Sequence, residues 1–494
     1  MPDSLHYKMF INGIWQDASD AKRFDSINPA TEKPWCSVPE STEEDINRAV
    51  ESAHTAFTSG PWAHLTPTER GKHLRRLAEL LDKKSEHLGR IETIDTGKML
   101  KETRWQAKYI AEFFHFYAGC ADKICGQTLP IDKPDMITLT LREPLGVIAA
   151  VVPWNSQLFL VAVKIGPALA AGNTVVLKAS EHASAAMLEF GKLVEEAGFP
   201  AGVVNIVTGH ADPCGRVLTS HPLVQRISFT GGTSAARHVV RNSAENFAQV
   251  SLELGGKSPF IVFDDANIES AVNGSIAGIF GASGQSCVAG SRLYLHNSIA
   301  DEFLDKMLLQ AQTIKLGDPL EDATQMGPLA TYAQIEHVER QVAMAKAEGG
   351  TILTGGDRGD TPDIGWYYPP TIIECPRQTL TIVGTELFGP VLSVLRFDDE
   401  DEVLQMANDS QYGLAAGVFT RDGARALRMT KALRAGIVWV NTYRVVSPIA
   451  EFGGFKDSGY GRESGMQAIY DYTRPKTAWL NISNAPLGNP FVMR

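Results

Sequence analysis

The sequence lacks any hydrophobic run long enough to cross a membrane, and its start, Met1 to Trp15, lacks the basic segment and apolar core of a secretory signal. The most apolar stretch, Leu158 to Ala171, is too short to span a bilayer and is interrupted by Lys164 and Pro167. We therefore predict no transmembrane helix and expect an intracellular, cytoplasmic protein.

Cysteine is also scarce, with six residues scattered through a chain of 494. This spacing differs from the disulfide framework of a small secreted domain, so we expect reduced thiols. Cys120 and Cys125 form the closest pair, but no second Cys or His pair stands nearby at zinc-site spacing. We therefore predict no bound metal.

The chain has fewer basic than acidic residues and a formal net charge of -11, which disfavours nucleic acid and anionic membranes as partners. Its composition, 44% hydrophobic and 21% charged, is that of an ordinary globular protein. Because a chain of 494 residues exceeds what one hydrophobic core usually serves, we expect two large domains.

Short apolar, β-branched runs alternate with longer helical stretches from about residue 146 to 263, which is typical of a parallel sheet flanked by helices. The predicted fold class is α/β, with two doubly wound parallel-sheet domains, one of them Rossmann-like, and a small β element. Helices are predicted over Ala183–Ala197, Ser234–Ala244 and Ile268–Phe280. The predicted strands are Val147–Val152, Thr174–Leu177, Val203–Val207, Arg226–Phe229 and Gln249–Glu253.

Two further strands are predicted outside these repeats, at Asp135–Arg142 and Lys476–Ile482, where apolar and polar residues alternate. Their edges need cover, so we expect them to pair between subunits of an oligomer. The predicted domains are residues 1–125 with 146–254 for the nucleotide, 255–457 for catalysis, and 126–145 with 472–494 as oligomerisation strands and tail.

Three polar residues stand at positions suited to chemistry. Cys287 lies in a glycine-flanked loop after a helix, although a free cysteine is more often buried and inert. Glu253 ends an apolar strand, where burial is costly unless the acid pairs, for instance with Lys257, or acts as an acid or base. Asn155 follows another strand at the edge where ligands gather, although an asparagine there is usually a turn former.

The segments around these residues resemble the aldehyde dehydrogenase superfamily, and the resemblance runs from Phe10 nearly to the C-terminus. Several long motifs occur in the family's order. Besides Val151–Asn155, Leu252–Pro259 and Gly284–Arg292, the matching segments are Gly166–Asn173, Phe229–Gly231, Glu386–Val391, Phe452–Lys456 and Ser458–Gly459.

The resemblance implies that Cys287 is the nucleophile, that Glu253 is the general base and that Asn155 donates to the oxyanion. Thiolate attack on an aldehyde carbon creates an oxyanion that needs donors, here the Asn155 amide and the Cys287 backbone N–H. Hydride then leaves, and a water deprotonated by Glu253 hydrolyses the thioester. Relatives that acylate coenzyme A generally lack this glutamate, so the implied product is the free acid.

The resemblance also implies an NAD site without the usual G-x-G-x-x-G turn, which is absent here. Glu181 would accept from both ribose hydroxyls and repel a 2′-phosphate, so NAD is expected over NADP. Ala211 replaces a glycine that is common in the family's own turn. The residues expected to bind the cofactor are Pro153, Trp154, Lys178, Ser180, Glu181, Phe229, Gly231, Gly232, Thr233, Leu254, Glu386 and Phe388.

The chain departs from the family along the expected aldehyde tunnel, and these changes bear on substrate choice. Ser156 and Gln157 replace an aromatic residue and a proline. Val163 replaces a large aromatic residue, which argues against a quaternary ammonium aldehyde such as betaine aldehyde. The substrate prediction is a medium-sized apolar or aromatic aldehyde. Two further changes are Ser286 and Glu451, and the apolar tunnel residues are Phe159, Phe280, Val288, Val445, Val446 and Phe452.

Two alternative functions are compatible with the same sequence. A cysteine-dependent ester hydrolase would need Cys287, Glu253 and Asn155 but no nucleotide, and it would leave Glu181 and Glu386 without a purpose. A non-enzymatic structural or binding use of the fold would leave Cys287 inert toward thiol reagents. The family resemblance favours a homo-oligomer, either a dimer or a tetramer.

Overall fold

The computed structural model describes residues 5–359 and 361–492. The remaining positions, which the predicted domains include, lie outside the described residues. The strands are β1 (Leu5–His6), β2 (Met9–Ile11), β3 (Ile14–Gln16), β4 (Arg23–Asn28), β5 (Lys33–Pro39), β6 (Thr128–Leu129), β7 (Met136–Pro144), β8 (Val147–Val151), β9 (Thr174–Lys178), β10 (Val204–Val207), β11 (Val224–Thr230), β12 (Gln249–Glu253), β13 (Pro259–Val262), β14 (Arg292–His296), β15 (Thr351–Thr354), β16 (Thr371–Glu374), β17 (Val391–Phe397), β18 (Tyr412–Gly413), β19 (Ala415–Phe419), β20 (Ile437–Val440), β21 (Phe455–Lys456), β22 (Gly459–Tyr460) and β23 (Thr473–Asn481).

Helices precede, connect and follow these strands. They are α1 (Glu43–Thr58), α2 (Pro67–Thr96), α3 (Leu100–Cys120), α4 (Gln157–Ala170), α5 (Ala185–Glu196), α6 (Arg216–Ser220), α7 (Thr233–Asn242), α8 (Ile268–Phe280), α9 (Ala300–Gln312), α10 (Tyr332–Ala347), α11 (Thr381–Gly384), α12 (Glu400–Asn408), α13 (Gly423–Ala432) and α14 (Gly465–Asp471). Within the described ranges, none of these helices is long and apolar enough to cross a membrane.

An eight-stranded sheet carries the first half of the site, in the order β22-β12-β11-β8-β9-β10-β2-β3. Its five central strands, from β12 to β10 in that order, are parallel. Strand β8 comes first in the chain; β9 and β10 follow on one side of it, and β11 and β12 on the other. This reversal of the strand order places a ligand crevice beyond the carboxyl ends of β8 and its neighbours. The five predicted strands are confirmed to within two residues at each end, because β-branched runs such as β8 are buried between helices.

A second sheet of seven strands follows, in the order β15-β16-β17-β14-β13-β19-β20, and only β15 is antiparallel to its neighbour. Helix α8 crosses between β13 and β14 and matches its predicted bounds, since the Asn267 side chain caps its first turn by accepting from the Ser270 N–H at 2.9 Å. The two parallel sheets with their helices confirm the predicted α/β class.

The third sheet joins the two predicted outer strands within the chain. Strands β7 and β23 pair with each other, antiparallel over nine residue pairs from Thr473–Pro144 to Asn481–Met136, and β6 pairs with two residues on the other edge of β7. Helix α14 ends at Asp471 and delivers β23 directly alongside β7, so the backbone groups of β7 that face β23 are paired within the chain. The expected pairing between subunits stays a prediction. Large apolar side chains on this sheet, including Trp479 and Leu480, remain exposed.

Candidate active site

Asn155, Glu253 and Cys287 come together at the crevice from two strand ends and one loop. Asn155 follows β8, Glu253 ends β12, and Cys287 lies in the loop between α8 and β14. The Asn155 Nδ2 donates to the Gln285 carbonyl at 3.1 Å, which ties the first sheet to the cysteine loop. A Cβ on Gly256 would lie 2.9 Å from the Cys287 carbonyl oxygen, so the chain after Glu253 passes directly against the cysteine.

The loop that presents Cys287 has an unusual backbone. Ala282 and Ser283, with φ of 53° and 54°, are in the left-handed region, which is costly for residues with a side chain. Burial, followed by the charges of Glu253 and Glu386, raises the pKa of the Cys287 thiol to about 12. The thiol therefore holds its proton at neutral pH in the free protein and needs an acceptor before it can act as a nucleophile.

The Glu253 carboxyl is the second ionisable group of the site. It is buried, and neither of its oxygens has a hydrogen-bond partner within the described residues. Burial and the nearby Glu463 carboxylate raise its pKa well above the ordinary value, whereas Lys164 and Arg462 oppose that rise. Unpartnered buried carboxyl oxygens with a raised pKa are typical of a group that exchanges protons.

Behind Glu253 lies a charged group that the sequence reasoning missed. Lys164 of α4 forms a buried ion pair with Glu463 and donates to the Ser228 Oγ at 3.3 Å. The Ser228 hydroxyl also donates to Glu463 at 3.3 Å. The available signal is a single lysine in the otherwise apolar stretch from Leu158 to Ala171.

The residues predicted for the adenosine end lie at the carboxyl ends of β9 and β11. Lys178 Nζ lies 3.4 Å from a Glu181 oxygen. Burial raises the pKa of Glu181, but the Lys178 charge, a backbone hydrogen bond and the hydrogen bond from Lys178 together outweigh it, and the net pKa is lowered. Glu181 is therefore an anion that can accept from ribose hydroxyls. A Cβ on Gly231 would lie 2.6 Å from the Phe229 ring, so the turn before α7 has room only for glycine at this position.

The residues predicted for the nicotinamide end lie between the two sheets. Glu386 accepts from the Gly256 N–H at 3.0 Å, and burial raises its pKa to about 7. The Phe388 ring lies edge-on to Trp154 with centroids 5.4 Å apart. The other predicted cofactor residues follow strand ends at the same edge: Pro153 after β8, Ser180 after β9, Gly232 and Thr233 after β11, and Leu254 after β12.

The residues expected to line an aldehyde tunnel are only partly gathered around the thiol. Phe452 and Val288 pack with Cys287 in one apolar cluster. Phe159 belongs to a row of aromatic rings on α3 and α4, in contact with Phe113 at 5.2 Å between centroids. Val445 is exposed, which leaves room at the mouth of this region.

Further residues near the thiol were also missed. The Tyr443 hydroxyl donates to the Val288 carbonyl at 2.9 Å. The next residue, Arg444, lowers the pKa of Cys287, although burial of the thiol dominates. No local sequence pattern singles out this arginine. Within the described ranges, no group of three or more His, Cys, Asp or Glu side chains is arranged to hold a metal ion.

Comparison with known proteins adds an independent result. The model of the aldehyde dehydrogenase family matches residues 15–478. A relative from Acinetobacter baylyi, named (Z)-2-((N-methylformamido)methylene)-5-hydroxybutyrolactone dehydrogenase, is 55% identical over 489 residues, 99% of each chain. A hydroxyisobutyraldehyde dehydrogenase from Mycolicibacterium austroafricanum is 40% identical over 478 residues, 97% of this chain and 94% of the relative. Among solved structures, the NAD+ complex of an aldehyde dehydrogenase from Bacillus cereus is 41% identical, with a TM-score of 0.95 over 97% of each chain.

Proposed function

This chain belongs to the aldehyde dehydrogenase family, and we propose that it oxidises an aldehyde to the free carboxylic acid with NAD through a covalent thioester on Cys287. The observation that carries this proposal is the convergence of Cys287, Glu253 and Asn155 on one crevice at the carboxyl ends of parallel strands. The ester hydrolase and the non-enzymatic use remain the alternatives, and neither gives Glu181 or Glu386 a role.

The first half of the reaction forms the thioester. Cys287 Sγ attacks the aldehyde carbon after losing its proton to solvent water, and the new oxyanion accepts hydrogen bonds from Asn155 Nδ2 and the Cys287 backbone N–H. NAD, when bound, supplies the acceptor for the hydride that leaves the tetrahedral carbon. Asn155 is already held by its bond to the Gln285 carbonyl, so its amide needs little reorganisation.

The second half of the reaction hydrolyses the thioester and releases the carboxylic acid. Glu253 takes a proton from a water molecule, which attacks the thioester carbon and releases the carboxylic acid and the Cys287 thiolate. A carboxylate with an ordinary pKa would be a weak base, and the burial that raises the pKa of Glu253 makes it a stronger one. Lys164 and Glu463 are proposed as positioning residues, since their charges shift the pKa of Glu253 in opposite directions.

The cofactor residues fit a dinucleotide with a free ribose hydroxyl pair. Glu181 would hold the adenosine ribose beside Lys178, and a 2′-phosphate would meet its negative charge. Glu386 and Phe388 would hold the nicotinamide ribose and ring. The remaining predicted cofactor residues would line the crevice between these two ends.

The relative from Acinetobacter baylyi suggests the kind of carbonyl compound involved. A 5-hydroxybutyrolactone is a cyclic hemiacetal, and opening its ring gives an aldehyde and a carboxylate on one four-carbon chain. We propose an oxygenated aldehyde of this kind as substrate, because the chain is 55% identical to that protein over 99% of both lengths. The apolar or aromatic aldehyde predicted from the sequence stays a prediction, which the assay below compares directly.

The domain division, the oligomeric state and the cellular location are also proposed. Residues 1–125 with 146–254 would form the NAD-binding domain and residues 255–457 the catalytic domain. The sheet of β7 and β23, together with the tail up to residue 494, would serve a homodimer or homotetramer through its exposed apolar side chains. A cytoplasmic location is proposed as well. Light scattering that found only a monomer of 53.7 kDa would contradict the assembly.

The test is the initial rate of NADH formation with aliphatic, aromatic, amino and carboxylated aldehydes, run in parallel with NADP. The Cys287→Ala variant serves as the blank because it lacks only the thiol. Turnover that prefers NAD and disappears in the variant is the expected result. No turnover with any aldehyde, combined with no NAD binding by calorimetry, would favour the hydrolase; no reaction of Cys287 with a thiol reagent would favour the non-enzymatic use.

A further inference from the structure

One guanidinium group, that of Arg444, lies against the start of the loop that carries Cys287 and has no part in the chemistry described above. It bridges the two halves of the molecule near the cysteine: Nη1 donates to the Ala277 carbonyl of α8 at 3.1 Å, and Nη2 lies 3.5 Å from Glu102 of α3. Gly281, which follows α8, leaves the space that this guanidinium occupies, since a Cβ there would collide with it. Gly281 also begins the loop that leads to Cys287.

The backbone around Arg444 is held in place from three directions. The Tyr443 hydroxyl donates to the Val288 carbonyl, the Trp439 Nε1 donates to the Val445 carbonyl, and the Tyr109 hydroxyl donates to the Val446 carbonyl, each at 2.9 Å. Arg444 itself has a φ of 62°, a left-handed conformation that an arginine adopts at a cost. The segment is therefore rigid, and it holds the arginine in a strained backbone conformation beside the nucleophile.

The charge of Arg444 is only partly satisfied. A guanidinium has five N–H donors in a planar fork, and two of its groups have partners within the described part of the chain. The contact with Glu102 is a single long one of 3.5 Å, not the paired short bonds of a bidentate ion pair. About a quarter of the side chain, 24%, is exposed, so a ligand can reach the unused donors.

Lys98, which like Arg444 lies near Glu102, is more fully hydrogen-bonded than Arg444. Lys98 Nζ donates to Gln106 and to Ser156, each at 2.9 Å, and lies 3.7 Å from Glu102. Two of its three N–H donors are therefore occupied, and the side chain is buried. Glu102 faces two cations, Lys98 and Arg444, which leaves this group of three with a net positive charge. The cation available to a ligand is Arg444.

We propose that Arg444 binds an anionic carboxylate on the aldehyde substrate and so selects oxo acids over neutral aldehydes of the same length. This inference rests on the proposed function and deepens it by naming the substrate class. The free edge of the guanidinium matches the two oxygens of a carboxylate. With its carboxylate there, the aldehyde end of the substrate points toward Cys287, and the aromatic row that includes Phe159 contacts the carbon chain.

The experiment compares matched pairs of aldehydes with the NAD-loaded enzyme: oxo acids of four to six carbons against the corresponding simple aldehydes, and carboxybenzaldehyde against benzaldehyde. We expect the wild-type kcat/KM to be at least tenfold higher for the carboxylated member of each pair that fits. Arg444→Met should raise KM for the oxo acid by about tenfold to a hundredfold, the usual effect of a lost charge-assisted bidentate contact, and abolish the preference. Arg444→Lys should restore part of it.

Two further variants test whether the effect is specific to Arg444. Glu102→Gln removes the carboxylate that competes for the guanidinium and should lower KM for oxo acids. Arg421→Met removes an exposed arginine elsewhere on the second sheet and should leave the preference as it is. An equal loss for both members of a pair in Arg444→Met, or a wild-type preference for neutral apolar or aromatic aldehydes, would overturn the inference. Absence of NADH from every aldehyde would instead overturn the proposed function.

Discussion

Substituting glutamine for Glu253 separates the two halves of the proposed reaction. The change replaces one carboxyl oxygen with an amide nitrogen of nearly the same size. Because neither oxygen of Glu253 has a hydrogen-bond partner in the described chain, no bond is lost, and we expect the free energy of unfolding to change by no more than about 1 kcal/mol. The activity should respond very differently.

Thioester hydrolysis should slow in Glu253→Gln by about 10²–10⁴-fold, the usual contribution of a general base, which corresponds to about 2.7–5.4 kcal/mol of activation free energy. Hydride transfer precedes that step and should still occur once. The variant should therefore release close to one NADH per active site in a rapid phase and then turn over slowly. Rapid-mixing absorbance spectroscopy measures both phases, with Cys287→Ala as the control that shows neither.

The pH dependence gives a second readout of the same variant. The wild-type turnover should rise with pH as Glu253 loses its proton, and because burial and Glu463 raise the pKa of Glu253, this rise should lie above the ordinary carboxyl range. The glutamine variant should lack that rise. A variant with wild-type turnover, or one that loses the rapid phase at every pH, would refute the assignment of Glu253 to hydrolysis.

Three further predictions follow from the site. Glu181→Ala removes the charge that would repel a 2′-phosphate and should raise the ratio of NADP to NAD kcat/KM at least tenfold; parallel initial rates with both cofactors check it, and an unchanged ratio would contradict the role of Glu181. Lys164→Met leaves Glu463 buried without its cation and should cost about 3–5 kcal/mol in unfolding by denaturant, whereas adding Glu463→Leu should recover part of that loss; additive losses would rule out the ion pair as the cause. Because burial raises the pKa of Cys287 to about 12, iodoacetamide should inactivate the free enzyme more slowly than it alkylates free cysteine at neutral pH and faster as the pH rises; a pH-independent rate would contradict a protonated thiol.

The sheets were predictable from the sequence because their signals are local. Strand β12 and helix α8 have the predicted bounds, since apolar runs and a capping asparagine mark their ends. The sequence also named Cys287, Glu253 and Asn155 as candidates, through motifs that stand at the ends of such elements.

What the sequence could not supply were partners distant along the chain. Lys164 and Glu463 are 299 positions apart, and Arg444 meets its partners on α3 and α8 only in the folded chain. The pairing of β7 with β23 within the chain was not predicted for a related reason: an alternating pattern shows that a strand needs a neighbour, not which strand provides it.

The ion pair between Lys164 and Glu463 also ties the site to the order of synthesis. A ribosome makes the five central strands of the first sheet and the Cys287 loop before it makes Glu463, which stands 299 positions after Lys164. Until then Lys164 has no counter-ion, and β7 lacks its partner β23. A chain released before that point therefore carries an uncompensated buried ammonium and an open strand edge, the features that favour aggregation and degradation. The electrostatic environment of Glu253 is thus complete only after a segment distant along the chain has been made.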